Sequence, residues 1–144
     1  PDPLEPDFDI TAAARRIRAK KTAVKVALLD QTVVSGVGNI YADEALWATG
    51  ISPLKKASTL RQKDAVAIVH AATEVMRAAL DVGGTSFDAL YVNVNGESGY
   101  FDRSLHAYGR GGQPCDRCGT ELVKTVVGGR GTHYCPSCQR RGAA

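Results

Sequence analysis

The sequence lacks any long apolar run. No stretch approaches the roughly 18 to 20 apolar residues that a membrane-spanning helix needs, and the acidic start PDPLEPDFDI lacks the basic and then apolar pattern of a signal peptide. The chain has enough apolar residues for a core, because 44% of its 144 residues are hydrophobic and 23% are charged. We therefore expect a folded, monomeric, cytoplasmic protein of one domain with at most a small satellite, and no membrane partner.

Charge of one sign is absent from two successive parts of the chain. Residues 1–14 contain four acids and no base, whereas residues 15–25 contain six bases and no acid. Residues 26–102 are net acidic, and residues 103–144 carry seven bases against two acids. Two basic blocks around an acidic middle are compatible with a polyanion contacted from two places. They are equally compatible with two solvated faces.

Cysteine is scarce, and its four copies form two closely spaced pairs. The pairs are Cys115 with Cys118 and Cys135 with Cys138, and 16 residues separate them. Each C-x2-C pair turns two thiolates toward one point, and two pairs supply the four tetrahedral sulfur ligands that Zn²⁺ prefers. Disulfides or a redox dithiol are the alternatives, and the absence of an export signal argues against disulfides. The pattern predicts one structural zinc without an open coordination position for catalysis.

The segment between the cysteine pairs predicts a β-hairpin. Leu122 to Val127 is β-prone, Gly128-Gly129 is suited to the turn, and Gly131 to Tyr134 returns. A further strand is predicted around Leu105 to Tyr108, after a loop-like stretch over residues 85–103.

The rest of the chain predicts four helices. Their expected limits are Asp9 to about Lys20, about Ala23 to Leu29, a third that follows a turn at Gly36 and Gly38 and ends at Gly50, and a fourth from Ser58 or Thr59 to Gly83-Gly84. His70 lies in the fourth helix with no second ligand spaced to join it, so we expect a packing or surface role. The fold class is therefore mainly α with a small β part. Residues 1–103 form a helical domain and residues 104–144 a zinc-finger β-hairpin.

The turn at Gly36 and Gly38 is a candidate phosphate site. A glycine-rich turn before a helix exposes backbone N–H groups where the helix dipole is positive, and Asn39 adds an amide donor. The alternative is that the glycines only permit a sharp turn and that Asn39 caps the helix.

Three segments together resemble one known family. They are KVALLDQTVVSGVGNIY (residues 25–41), GGTSFDALYVNVNGESGYF (residues 83–101) with LHAYGRGGQPC after it, and GGRGTHYCPSCQ (residues 128–139). The chain resembles, in register and along nearly its whole length, the formamidopyrimidine-DNA glycosylase and endonuclease VIII family, and its formamidopyrimidine branch in particular. The resemblance implies a helix-two-turns-helix bundle, a lesion-loop-like segment over residues 85–103 and a C-terminal four-cysteine zinc finger.

The resemblance also implies a partner, double-stranded DNA that is damaged or abasic. Asn39 matches the family's phosphate-contacting asparagine, and Arg130 matches its zinc-finger arginine, on the other side of the duplex from the helical motif. The implied DNA-binding residues are Asn39, Arg130, Gly36, Gly38, Tyr108, Arg110 and Lys25. In the loop, Glu97 and Ser98 stand where many formamidopyrimidine members carry a lysine and a proline. This difference leaves lesion specificity open.

Catalytic residues of the family have no counterpart in this sequence. In full-length members, an N-terminal proline amine and a following glutamate belong to an amino-terminal β-sandwich that we do not find here. Residues 1–9 resemble instead the family's interdomain linker, and Asp2 stands in place of the glutamate. We therefore expect a DNA-binding module of base-excision repair without glycosylase or lyase chemistry of its own. The alternatives are the C-terminal fragment of an active glycosylase and lyase, and a protein-interaction or regulatory zinc module.

Overall fold

The structure, a computed structural model, describes residues 1–83 and 105–140. Within these residues the chain forms four α-helices followed by a two-stranded antiparallel hairpin. The elements are α1 (Ile10–Arg18), α2 (Val24–Leu29), α3 (Asn39–Thr49), a 3-10 turn (Ala57–Thr59), α4 (Gln62–Gly83), β1 (Val123–Val127) and β2 (Arg130–Tyr134). The predicted class, mainly α with a small β part, is confirmed. The predicted loop over residues 85–103 lies outside the described residues.

Helix α1 begins where the sequence predicts. The Asp9 carboxylate accepts a hydrogen bond of 3.0 Å from the Ala12 N–H, which satisfies one of the unpaired donors of the first turn. Ala13, Ala14 and Ile17 form its buried face against α4.

Helix α3 lies at the centre of the fold, in contact with α2, α4 and β2. All eight residues from Ile40 to Trp47 are buried, so this helix has no solvated face in its middle turns. It ends at Gly50, whose φ of +71° is a left-handed conformation that glycine adopts without strain. A Cβ at this position would lie 3.4 Å from the Cys138 carbonyl oxygen, so the zinc-finger backbone packs directly against the helix end.

Helix α4 begins later than the sequence predicts. Ser58 and Thr59 belong to the 3-10 turn, and Leu60 is extended with ψ of 145°, so the α-helix starts only at Gln62. The Arg18 guanidinium donates to the Leu60 carbonyl oxygen at 2.8 Å, which satisfies the acceptor that this break exposes.

The strand predicted around Leu105 to Tyr108 is wrong. The backbone N–H groups of His106, Ala107 and Tyr108 all donate to the Glu44 carboxylate, at 2.7, 2.6 and 2.8 Å. Successive residues of a strand face opposite sides, so three consecutive N–H groups cannot meet one acceptor from a strand. The buried charge of Glu44 therefore selects a compact turn in place of an extended segment.

The hairpin has the predicted turn. Val123 pairs with Tyr134 and Val127 pairs with Arg130, so Gly128 and Gly129 form a two-residue loop. Their φ values of +58° and +79° fit a type I′ turn, which matches the twist of the flanking strands.

The described residues form two hydrophobic clusters, and each contains a residue from the other part of the chain. Trp47 of α3 packs in the cluster of the zinc finger, with Ala107, Leu122 and two cysteines. Leu105, which precedes the finger, packs in the cluster of the helices. No helix in the described ranges is long and apolar enough to span a bilayer.

We predict that Glu44→Gln destabilises the protein by about 2 kcal/mol or more. The amide would place a donor against backbone N–H groups that need an acceptor, and hydrogen bonds to charged groups each contribute about 1.5 to 3 kcal/mol. Urea unfolding measures the loss, with the exposed Glu74→Gln on α4 as the matched control. Equal midpoints for the two variants would contradict this role of Glu44.

Candidate metal centre and nucleic-acid interface

The four predicted zinc ligands lie together in the finger. The sulfur atoms of Cys115, Cys118, Cys135 and Cys138 are all within 4.8 Å of one another, and two of these residues are buried. Gly119, with φ of +79°, turns the chain back after the first pair. Among the described residues these four converging sulfurs form the cluster, which fits a closed, structural Zn²⁺ site and confirms the predicted cofactor.

The surroundings of the sulfurs differ in their effect on ionisation. Hydrogen bonds with Thr120 lower the pKa of the Cys118 thiol to about 6. Burial raises the pKa of the Cys135 thiol to about 12. A divalent cation at the centre would hold both as thiolates, because metal coordination outweighs such differences.

Trp47 connects the zinc centre to α3. Its indole N–H donates to the Cys115 sulfur at 3.3 Å. The indole ring lies between the His106 ring, stacked at 4.3 Å, and the Arg117 guanidinium, 4.0 Å from the ring centroid. Arg117 also donates to the Trp47 carbonyl oxygen at 2.6 Å, so one aromatic side chain orients a knuckle of the finger on the helix.

The glycine turn leaves the start of α3 without a side-chain cap. Gly38 is the capping residue and supplies no side chain, and Gly36 has φ of +85°. Both glycines are exposed. Asn39 is the first residue of the helix, one position after the N-cap. Its side-chain N–H donates to the Gly131 carbonyl oxygen at 3.0 Å, and its Oδ1 is buried with no donor among the described residues. An exposed, uncapped helix N-terminus is a suitable site for a phosphate.

Arg130 lies beside this turn. It is the exposed first residue of β2, directly before Gly131, whose carbonyl oxygen receives the Asn39 amide. The expected placement of Arg130 across the duplex from the helical motif stays a prediction, and the free protein brings the backbone next to Arg130 against Asn39. The two elements are neighbours on one surface.

Lys25 occupies a different environment from the expected one. Its side chain is 0% exposed, and its ammonium lies 2.7 Å from the Asp43 carboxylate. Burial lowers the pKa of Lys25, and the Asp43 charge opposes that effect. The predicted contact with DNA needs a surface that this side chain does not have, so the structure favours a positioning role for Lys25.

Arg110 is also engaged within the protein. Its guanidinium donates to the His106 and Pro114 carbonyl oxygens and to the Gln113 and Asp116 side chains, at 2.9 to 3.0 Å. These bonds shape the loop before the first knuckle.

Tyr108 is half-buried, and its ring meets the edge of the His133 ring with centroids 5.0 Å apart. This contact leaves part of the side chain accessible.

The first basic block is largely used inside the fold. Arg16 donates to the Val33 carbonyl oxygen at 2.8 Å, and Lys20 pairs with Asp30 at 3.2 Å. Arg18 donates to the Leu60 carbonyl oxygen, and Lys25 is buried against Asp43. Most side chains of the block therefore pair with carboxylates or carbonyl oxygens of the protein. Of the two basic blocks, the second is the one that presents an exposed arginine beside the glycine turn.

Sequence reasoning missed Asp43 and Glu44, the two carboxylates of α3. Both are buried, at 1% and 4% exposure, and both accept hydrogen bonds from the finger. A signal was available, because an Asp-Glu pair inside an otherwise apolar helix requires buried donors.

We predict that a strong chelator disorders the finger and changes the fluorescence of Trp47, the single tryptophan of the chain. Structural zinc supplies about 10 kcal/mol or more of binding energy to such fingers, and the indole loses its sulfur acceptor with the metal. Readdition of Zn²⁺ should restore the signal. An emission spectrum that stays unchanged after complete metal removal would contradict the site.

Comparison with known proteins places these features in one family. The family described as the formamidopyrimidine-DNA glycosylase H2TH domain matches residues 1–90, and the zinc finger found in FPG and IleRS matches residues 112–141. The formamidopyrimidine-DNA glycosylase of Corynebacterium aurimucosum is 82% identical over 99% of this chain and 50% of its own length. That of Mycobacterium tuberculosis is 56% identical over 97% and 48%.

Solved structures agree with the sequence matches. The MutM (Fpg) protein of Thermus thermophilus superposes with a TM-score of 0.84 at 38% identity, over 99% of this chain and 54% of that one. The Lactococcus lactis enzyme, solved non-covalently bound to DNA containing an AP site, gives 0.82 at 36% identity, over 97% and 49%.

The chain thus spans about half the length of the relatives that it matches. The chain therefore belongs to the formamidopyrimidine-DNA glycosylase family and corresponds to the C-terminal half of its members, as both family matches, the turn before α3 and the four-cysteine hairpin indicate.

Proposed function

We propose that this chain is a zinc-stabilised DNA-binding module that contacts the phosphate backbone of damaged duplex DNA in base-excision repair. One observation carries the proposal: exposed Arg130 lies directly beside the uncapped start of α3, joined to it through the hydrogen bond from Asn39 to Gly131. An exposed cation and a helix N-terminus on one surface offer two positions for phosphates.

The two positions differ in chemistry. Arg130 offers a permanent charge with several N–H donors, whereas the start of α3 offers an N-terminus without a side-chain cap and the positive end of the helix dipole. The Gly36 N–H is used within the protein, because it donates to the Gln31 side-chain oxygen at 2.7 Å. Glycine is required at position 36 for the turn itself, since a Cβ there would lie 3.0 Å from the Met76 methyl and would strain a positive φ. Contacts of this kind orient a protein on a duplex without reading its bases.

Damaged DNA is the proposed form of the partner. Related structures of the Lactococcus lactis enzyme contain an AP site or a FAPY-dG lesion. Phosphate contacts alone extrude no base, so we assign the described residues to binding and not to base excision.

A second candidate function is that this chain forms the DNA-binding half of an active glycosylase and abasic-site lyase. Its favouring observation is the length relation, since the matched glycosylases are about twice as long. In both candidates the described residues supply binding and orientation, and the nucleophile comes from elsewhere.

We predict that Arg130→Ala weakens duplex binding about fivefold to tenfold at low salt, for every sequence tested. Loss of one phosphate contact should also lower the slope of log affinity against log salt by about one unit. Fluorescence anisotropy across a salt series measures both quantities. Arg61→Ala, an exposed arginine at the start of α4, is the matched control and should change neither. An unchanged slope in Arg130→Ala would remove this residue from the interface.

We predict that the chain forms no covalent adduct with abasic DNA under borohydride. Pro1 is exposed, and its carbonyl oxygen accepts from the Ser35 N–H at 2.7 Å, which ties the proline to the loop before α3. Electrophoresis of the trapped mixture measures the adduct. A trapped species that disappears on Pro1→Ala would show catalysis by this chain and overturn the proposal of a module without chemistry.

A further inference from the structure

A buried ion pair lies between the two proposed phosphate-contacting elements. The Lys25 ammonium of α2 and the Asp43 carboxylate of α3 are 2.7 Å apart, and both side chains are 0% exposed. Burying two charges carries a desolvation penalty for each ion, and apolar residues of similar volume often serve stability equally well. The pair therefore needs an explanation other than stability alone.

Both members of the pair bind the return strand of the hairpin. Lys25 donates to the Gly131 carbonyl oxygen at 2.9 Å and to the Thr132 hydroxyl at 2.8 Å. The second oxygen of Asp43 accepts from the backbone N–H of His133 at 3.0 Å and meets the ring Nδ1 at the same distance. Residues 131–133 are thus held by two charges whose own positions are fixed in the helices.

Arg130 immediately precedes this held segment. The Thr132 hydroxyl accepts a hydrogen bond from the Lys25 ammonium and donates one to the Arg130 carbonyl oxygen at 3.1 Å. On the helix side, Asp43 follows Asn39 by four residues, so the two side chains lie on one face of α3. The ion pair therefore joins the backbone of the finger arginine to the helix whose start forms the glycine turn.

A steric contact supports the same arrangement. A Cβ on Gly128 would lie 2.6 Å from the Cγ2 of Val26, so the hairpin turn approaches α2 as closely as glycine allows. Val26 is the neighbour of Lys25 in the chain, and α2 thus contacts the hairpin at its turn and at its return strand.

We propose that Asp43 and Lys25 are positioning residues, which fix the separation between Arg130 and the turn at Gly36 to Asn39 so that both engage one duplex. Neither side chain touches DNA in this arrangement. The effect on DNA binding rests on the proposed function. The fixed position of the hairpin is a property of the free protein.

The first experiment measures that fixing without DNA. Asp43→Asn keeps the size of the side chain and removes its charge, and amide hydrogen exchange of the zinc-loaded full chain reports residues 130–133. We expect exchange at His133 to rise about tenfold or more, while the α1 amides keep their protection. Asp64→Asn, which breaks the exposed pair with Arg61, is the matched control and should change neither. Unchanged exchange at residues 130–133 in Asp43→Asn would overturn the proposal.

The second experiment measures the consequence for binding. Asp43→Asn adds net positive charge beside the interface, so electrostatics alone predicts tighter binding to a 20-base-pair duplex. Positioning predicts the opposite, a loss of about fivefold and a salt slope lower by about one unit, as in Arg130→Ala. Combining Arg130→Ala with Asp43→Asn should then cost less than twofold more. Tighter binding, or fully additive losses, would overturn the proposal.

A milder variant covers the case in which Asp43→Asn does not fold. Thr132→Val removes one acceptor of the Lys25 ammonium and keeps the ion pair, and we expect it to raise exchange at residues 130–133 and to lower the salt slope. Unchanged values in this variant would likewise overturn the proposal. A wild-type chain that binds no duplex would overturn the proposed function, and the exchange experiment distinguishes that failure from a failure of the positioning.

Discussion

The rest of the structure depends on the hydrogen bonds between the buried polar side chains of α3 and the zinc-finger part of the chain. The Asp43 carboxylate accepts a hydrogen bond from the return strand of the hairpin, and the Glu44 carboxylate accepts from three consecutive backbone N–H groups. The Trp47 indole N–H donates to the Cys115 sulfur. Their partners lie 62 to 90 residues further along the chain. Zinc can close the finger upon itself, whereas these contacts help to set its orientation on the helices. Metal binding and helix packing therefore act together to build one surface.

Features with local signals could be predicted from the sequence. The four cysteines, the Gly128-Gly129 turn, the Asp9 cap and the end of α3 at Gly50 each follow from residues within a few positions of one another. Such features depend on short-range sterics, hydrogen bonds or metal-ligand spacing, and tertiary context does not change them. The class of fold and the zinc centre were predictable for this reason.

Features with distant partners could not be predicted. Lys25 is an ordinary helix base in sequence, and only the fold brings Asp43 and residues 131–132 to its ammonium. Glu44 likewise turned a predicted strand into a compact turn, because a buried carboxylate recruits donors from any part of the chain. The basic block around α1 shows the same limit, since charge patterning does not distinguish an arginine that binds a carbonyl oxygen from one that faces solvent.

The distribution of paired charge decides where a phosphate is attracted. Asp43 compensates the charge of Lys25, so this lysine contributes hydrogen bonds and geometry to the hairpin but little net field. Arg130 is an exposed cation close to the uncapped start of α3. Without Asp43, Lys25 would be a buried charge that has lost its carboxylate partner, and breaking a buried pair in this way is strongly destabilising. The buried carboxylate therefore compensates Lys25 and holds the return strand of the hairpin, even though a carboxylate near DNA is unfavourable by charge alone.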